Sequence, residues 1–189
     1  METKQETYVD KSSWARGPWD DEPDKMQFTD EATSLPCLIV RGPAGALCGY
    51  VGVAKGHPLH EVHYGDECPA LAEALEKRKE QPLGDNPGLG LMLACLTGDL
   101  SPRADCVLDV HGGITFSDRC QDNGKICHEV CEGEDDNVWW LGFDCNHSGD
   151  MAPSYAGRYT AFTDGSYRDL AYVKREIAKL ASQLAEIAS

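Results

Sequence analysis

Val138-Trp139-Trp140-Leu141-Gly142-Phe143-Asp144-Cys145 is the stretch on which the fold turns. Large apolar residues fall on both alternating faces, and aromatic and β-branched side chains dominate, which is the pattern of a strand covered from both sides rather than one edge of a sheet. A central strand needs neighbours. Two candidates lie upstream, Leu35 to Arg41 and Leu47 to Val53, both apolar and separated by Gly42-Pro43-Ala44-Gly45, a composition that reverses the chain. These read as a hairpin. Cys106 to Phe116 reads as a strand, a turn at Gly112-Gly113 and a further extended piece. Downstream, Asn146 to Tyr155 contains Gly149 and Pro153 and reads as a loop.

The other clear element is at the C-terminal end. From Arg168 to Ser189 the residues Leu170, Val173, Ile177, Leu180, Leu184 and Ile187 recur every three or four positions, the period of an amphipathic helix. Ser166 or its neighbour is the expected cap, with Asp169 completing a capping-box-like pattern. The stripe also has heptad spacing, so it could seat a second copy of the chain in a homodimer.

Between hairpin and central strand, residues 66–105 look like an insertion. Asp66 is placed to cap a helix with Pro69 near its first turn and Leu71, Ala74 and Leu75 on one face, running to about Glu80. Gln81 to Gly90 reads as a loop, and Leu89 to Leu96 is an apolar run that periodicity alone leaves open between helix and strand. Residues 1–13 are polar and unpatterned and read as a flexible tail, with order beginning at Trp14; Trp14 and Trp19 are the natural anchors onto a core. The expected architecture is a single α+β domain over residues 14–189: a mixed or antiparallel sheet, a central helix insertion and a long C-terminal amphipathic helix.

The chain has 189 residues, enough to bury most of its unfolded surface around one core, and its hydrophobic fraction of 41% is that of a globular protein. Its net charge is −15, from 32 acidic and 17 basic residues. That field repels nucleic-acid backbones and anionic membranes, so neither is an expected partner. The opening residues lack a signal-like apolar run, and no stretch approaches a membrane span, which gives a cytoplasmic expectation. Nine cysteines are an odd number, and reduced thiols are expected rather than a disulfide framework.

Chemistry-bearing residues crowd between His111 and Asp150. In Asp144-Cys145-Asn146-His147-Ser148-Gly149-Asp150, Asp, His and Asp recur every three residues just past a buried strand, where rigid scaffolding commonly positions a site. His111 ends a separate apolar run. Asp144, His147, Asp150 and His111 are the candidate catalytic residues and the candidate ligands of a divalent metal, with zinc, manganese and iron all suited to mixed carboxylate and imidazole donors. Gly112 and Gly113 would let a ligand approach the backbone, and His128 and Trp140 complete the candidate ligand-binding set. The alternative is structural: Asp144 capping a turn, Asp150 solvated and His111 hydrogen-bonded in the core.

Cys120, Cys127 and Cys131 lack the short spacing of a zinc knuckle. If residues 126–130 form a strand, Cys127 and His128 face opposite ways. His57, His60 and His63 are regularly spaced, but Pro58 argues against a helix aligning them, and a solvated loop is expected. Cys145 beside Asp144 lacks the positive surroundings of a nucleophilic thiolate. Phosphate-loop, serine-elbow and His-Glu-x-x-His motifs are absent from the sequence.

Several segments together resemble a family of uncharacterised small proteins encoded in bacteriophage genomes and prophage regions: Gly17-Pro18-Trp19 with Glu22-Pro23-Asp24, Cys48-Gly49-Tyr50-Val51-Gly52-Val53 with Gly56-His57-Pro58, His111-Gly112-Gly113-Ile114-Thr115-Phe116 with Cys120 and Ile126-Cys127-His128, and Trp139 to His147 with Asp150. The pattern spans roughly Trp14 to Leu184, with residues 66–105 outside it. The resemblance implies a phage or prophage origin and action on host machinery, without fixing an activity.

Two functions follow. One is a metal-dependent hydrolase, or a binder, acting on a small phosphorylated or nucleotide-like ligand, motivated by the His111, Asp144, His147 and Asp150 cluster. The other is a non-enzymatic inhibitor that sets an acidic surface against a basic host protein, motivated by the net charge and by Glu132-Gly133-Glu134-Asp135-Asp136. A concave site around His111 and Asp144 would favour the first.

Overall fold

The computed structural model describes residues 3–80, 88–120, 126–129, 137–156 and 165–188. Six strands form one antiparallel sheet in the order β1-β2-β3-β4-β6-β5. They are β1 (Lys4–Glu6), β2 (Lys25–Thr29), β3 (Pro36–Arg41), β4 (Leu47–Val53), β5 (Phe116–Arg119) and β6 (Trp139–Asp144), accompanied by the helices α1 (Ala72–Lys79), α2 (Leu89–Thr97), α3 (Ala104–Val107) and α4 (Leu170–Ile187). This is an α+β domain of the expected kind. No described helix is long and apolar enough to cross a membrane.

The hairpin forms where the sequence places it, Ile39 pairing with Gly49 and Val40 with Cys48. The decisive stretch becomes β6, flanked on both sides: Val51 pairs with Leu141 and Gly49 with Phe143 in one direction, and Phe116 with Gly142 in the other. Strand alternation sorts its side chains. Leu141 and Phe143 enter the main core beside Ile39, Val51, Val173 and Ile177, while Trp140 joins a smaller cluster with Leu38, Val40 and Tyr50 on the opposite face.

Helix α4 lies across β4 and β3, and Val173, Ile177, Leu180 and Leu184 are fully buried there. The stripe with heptad spacing is therefore spent inside the chain. Its cap is Asp169, whose side chain accepts a hydrogen bond from the Tyr172 amide, rather than Ser166. A short carboxylate one residue before the first turn reaches the amide three positions on better than a residue further upstream can.

Several local expectations change. Lys4–Glu6, read as tail, pairs with Lys25–Gln27 as an edge strand, because an edge needs only backbone groups and leaves no side-chain pattern. Strand β2 gave no clear signal either: Met26 is in the main core, but Lys25 and Gln27 make its other face polar. The first helix starts at Ala72 after a 3-10 turn at Pro69–Leu71; Cys68 precedes the turn and Leu71 the helix, and Asp66 caps neither. The ambiguous apolar run is helical, as α2. Cys106 and Val107 end a helical turn, and Leu108 to Val110 run without a ladder partner where a strand was expected. Within the described part of residues 66–105, Cys68, Leu71, Leu75, Ala94 and Ala104 all belong to the main core.

Cys120 and Cys127 form a disulfide with Cα atoms 4.7 Å apart, where free thiols were expected. Cys120 and Ile126 both pack against the smaller cluster, where two cysteines that are distant by zinc-knuckle standards come close enough to bond. No strand forms over residues 126–129. The other described cysteines, at positions 37, 48, 68, 95, 106 and 145, are free.

Candidate functional site

The loop after β6 and the start of α4 meet through backbone pairing. The Met151 amide donates to the Ser166 carbonyl (3.0 Å) and the Ser166 amide to the Gly149 carbonyl (2.9 Å). Gly165 lies so close to the Asp150 backbone that a Cβ there would collide with it. This contact sets Asp150 against Arg168. From the other side comes the segment from Val110 to Gly113, closed by a turn in which the Gly113 amide donates to the Val110 carbonyl at 2.9 Å.

His111 sits at the junction, 4% exposed. Its Nε2 is 2.8 Å from Asp150 Oδ2, and its Nδ1 is 2.9 Å from the Tyr172 hydroxyl. Asp150 is equally committed: Oδ1 accepts from Arg168 Nε (2.8 Å), and Oδ2 also accepts from the His147 amide (3.0 Å). Burial pushes the Asp150 carboxyl up, but the hydrogen bonds from His111, Arg168 and the His147 amide outweigh it, and the group titrates below the ordinary aspartate range. An ionised Asp150 draws the Nε2 proton toward itself, which leaves Nδ1 to accept from Tyr172. Burial raises the Tyr172 hydroxyl, and the neighbouring Glu176 raises it further, so it remains a donor.

His147 stands beside this line, its ring centroid 5.8 Å from that of His111. Its Nε2 is 3.5 Å from Asp144 Oδ1 and is a buried atom without a hydrogen-bond partner. Asp144 is held by the Thr115 hydroxyl (3.1 Å) and the Asn146 amide (3.0 Å). The structure thus brings together all four residues picked from the sequence as catalytic or metal-binding. Of the four residues picked as ligand-binding, Gly112 and Gly113 lie beside this cluster and His128 and Trp140 on the other face of the sheet. A Cβ at Gly112, where φ is +66°, would meet the His147 ring, and one at Gly113 would meet Gly88, so protein fills the room over both glycines. His128 packs edge-on against Trp140, with centroids 5.3 Å apart, in the cluster on the other face of the sheet.

Two of the four are fully engaged within the protein in this arrangement. Both ring nitrogens of His111 and both oxygens of Asp150 already hold protein partners, and among the described residues no group of three His, Cys, Asp or Glu is placed to hold a metal. The histidines near β4 serve the chain too. His57 Nδ1 accepts from the Leu59 amide and its Nε2 meets the Leu184 carbonyl, while His60 and His63 bond elsewhere in the backbone. Cys145 is buried, and burial followed by the Asp150 charge raises its thiol, against any nucleophilic role. The acidic run at positions 132–136 and Cys131 lie outside the described residues.

Sequence reasoning missed the partners on α4 and just before it. Arg168 and Tyr172 were read as helix positions, yet the Arg168 guanidinium lies 4.8 Å from the Tyr172 ring centroid, with Arg175 at 5.5 Å. Glu176 accepts from the His111 amide (2.8 Å). The available signal was their spacing of three or four residues along one side of the helix. A cavity lies at the other end of α4, around Asp109 and Gln183. No protein-family profile, curated protein or solved structure matches the chain.

Proposed function

We propose that this chain binds a small phosphorylated ligand on the surface formed by Arg168, Arg175 and His147, with the Tyr172, His111 and Asp150 line as the rigid base beneath it. One observation carries the reading. Arg168 engages Asp150 through Nε alone, and its two terminal nitrogens hold no hydrogen bond to a described residue, while stacking on Tyr172 fixes the plane of the guanidinium. A pre-oriented guanidinium fork suits phosphate oxygens, and a second guanidinium on the same ring adds charge where the protein as a whole is strongly anionic.

A divalent metal is not needed for such a site, and no catalytic step is assigned. A phage or prophage origin, proposed on the residue pattern from Trp14 to Leu184, would make the ligand one available in a host cell. The reading is tested by titrating inorganic phosphate and ADP into the protein at low ionic strength, followed by calorimetry and by NMR of the histidine rings. Saturable binding is expected, with at least a tenfold loss in Arg168→Met, about the effect of one charge-assisted hydrogen bond. Equal binding by wild type and variant, or none up to about 10 mM, a free energy near 3 kcal/mol, would remove the reading.

A further inference from the structure

The sheet has a second face, turned away from α4, and the residues that cover it come from one short piece of chain. Strand alternation points Leu38, Val40, Tyr50 and Trp140 to this side, where they form the smaller apolar cluster. Cys120, at the end of β5, and Ile126 pack against that cluster. His128 stands edge-on to the Trp140 ring on β6, with centroids 5.3 Å apart. The Glu129 amide donates to Gln27 Oε1 on β2 (2.9 Å), and the Glu129 carboxylate pairs with Lys4 on β1. Residues 126–129 thus form a strap that joins strands from both rims of the sheet.

One covalent bond fastens the strap, the disulfide from Cys120 to Cys127. The ties it supplements are individually weak. Lys4 and Glu129 are both exposed, and an ion pair in water contributes little. The hydrogen bond to Gln27 exchanges readily for bonds to water. Two effects oppose them. Release returns backbone freedom to the strap. It also opens Trp140 to solvent: this residue is fully buried, and its indole Nε1 is a buried donor with no hydrogen-bond partner, which water would supply.

We infer that the Cys120–Cys127 disulfide is a redox latch: a dithiol reductant opens it, residues 126–129 leave the face of the sheet, and Trp140 is uncovered. Both cysteines are half-buried rather than enclosed, so a reductant can reach the bond. One thiolate of the dithiol attacks one sulfur, and the S–S bond breaks to give a mixed disulfide and a free cysteine thiolate. The second thiol of the reductant then displaces the remaining cysteine. Two electrons and two protons pass to Cys120 and Cys127, which become thiols, and the reductant leaves as its own cyclic disulfide. Cys48, packed against the same cluster, does not compete as an attacking group. Burial, and after it the charge of Asp144, pushes its thiol up to about 11, and a protonated thiol is a poor nucleophile.

The test follows the Trp140 indole N–H of the full chain by NMR, with dithiothreitol as the dithiol and thiol titration to count the cysteines released. In the oxidised protein the indole proton should exchange slowly with solvent. After reduction it should exchange at least about tenfold faster, while the amides of Val51, Leu141 and Val173 in the main core keep their protection. Removing the dithiol and adding oxidised glutathione should restore slow exchange. The double variant Cys120→Ser with Cys127→Ser should match the reduced protein whether or not dithiol is present. Unchanged exchange at Trp140 in fully reduced wild type would overturn the latch. So would loss of protection throughout the core, since that is unfolding and not release of a strap, and so would a failure to find the disulfide in air-oxidised protein.

Discussion

Among the described residues, two networks set a buried carboxylate against a guanidinium, and they differ in one respect that matters. In the first, at the edge of β3, the Arg41 side chain is 0% exposed, as is Asp24. Every nitrogen of its guanidinium is used inside the protein: Nε on Asp24, Nη1 on the Gly45 carbonyl and the Tyr167 hydroxyl, and Nη2 on Glu22 and the Pro23 carbonyl. Lys11 and the amides of Tyr8 and Val9 complete the shell around Asp24. In the second, Arg168 is 22% exposed and gives Asp150 one nitrogen only. A closed network holds segments together, whereas one with unspent donors at its rim can also meet a ligand. Burial and a matched charge look alike in both; the count of unspent donors separates them.

The comparison can be broken at its strongest point first. Arg41→Met would strand Asp24 and Glu22 without their main cation and should cost about 3–5 kcal/mol in denaturant unfolding, the usual result of removing one partner of a buried pair. A cost under about 1 kcal/mol would mean that the closed network does not hold the N-terminal segment in place.

Asp150→Asn should cost less, about 2 kcal/mol, because a partly exposed Arg168 can be rehydrated once its partner loses charge. It should also change the response to acid. Asp150 titrates lower folded than unfolded, so its contribution is complete above the unfolded value near pH 4 and is lost as pH falls through the folded value. Wild-type stability should therefore fall more steeply below about pH 4 than that of the variant. Parallel curves from acid-titrated melting experiments would show that the charge on Asp150 contributes nothing.

The smallest effect is expected at His147, whose ring is 33% exposed and whose Nε2 lacks a hydrogen-bond partner. His147→Ala should cost under about 1 kcal/mol and still weaken phosphate binding. A large fall in melting temperature with phosphate affinity intact would make it a packing residue over Gly112.

Much of the fold was legible in the sequence because the relevant residues are neighbours in it. The three- and four-residue spacing from Val173 to Leu184, the turn at Gly42 to Gly45 and the doubly apolar run from Val138 are local signals. Strand β1 was not legible, since Lys4, Gln5 and Glu6 are held by backbone pairing and all three are exposed. The segment from Leu108 to His111 misled for a related reason. Its composition suits a strand, but its polar groups are satisfied by Gln183 and Glu176 on α4, partners more than sixty residues away in the chain. Part of the candidate site could be read in the same way. His111, Asp144, His147 and Asp150 stand out by residue type, whereas Arg168 and Tyr172 look like any exposed helix positions until the loop pairs with residues 149–151. The Arg41 network gave no warning, because each of its members is an ordinary residue alone.

The two rims of the sheet bear on how this protein behaves in a crowded solution. An unpaired strand edge is a template on which another molecule can grow, and long, flat, apolar edges are where aggregation starts. Here one rim is β1, three residues long, fully exposed and bearing Lys4 and Glu6. The other is β5, four residues long, ending in Asp118 and Arg119 just before the disulfide at Cys120. Both are too short and too charged to recruit a second chain in register, and a net charge of −15 keeps copies apart before their edges can meet. The apolar strands in the middle of the sheet are thus shielded from intermolecular pairing by the segments with the least pattern in the sequence.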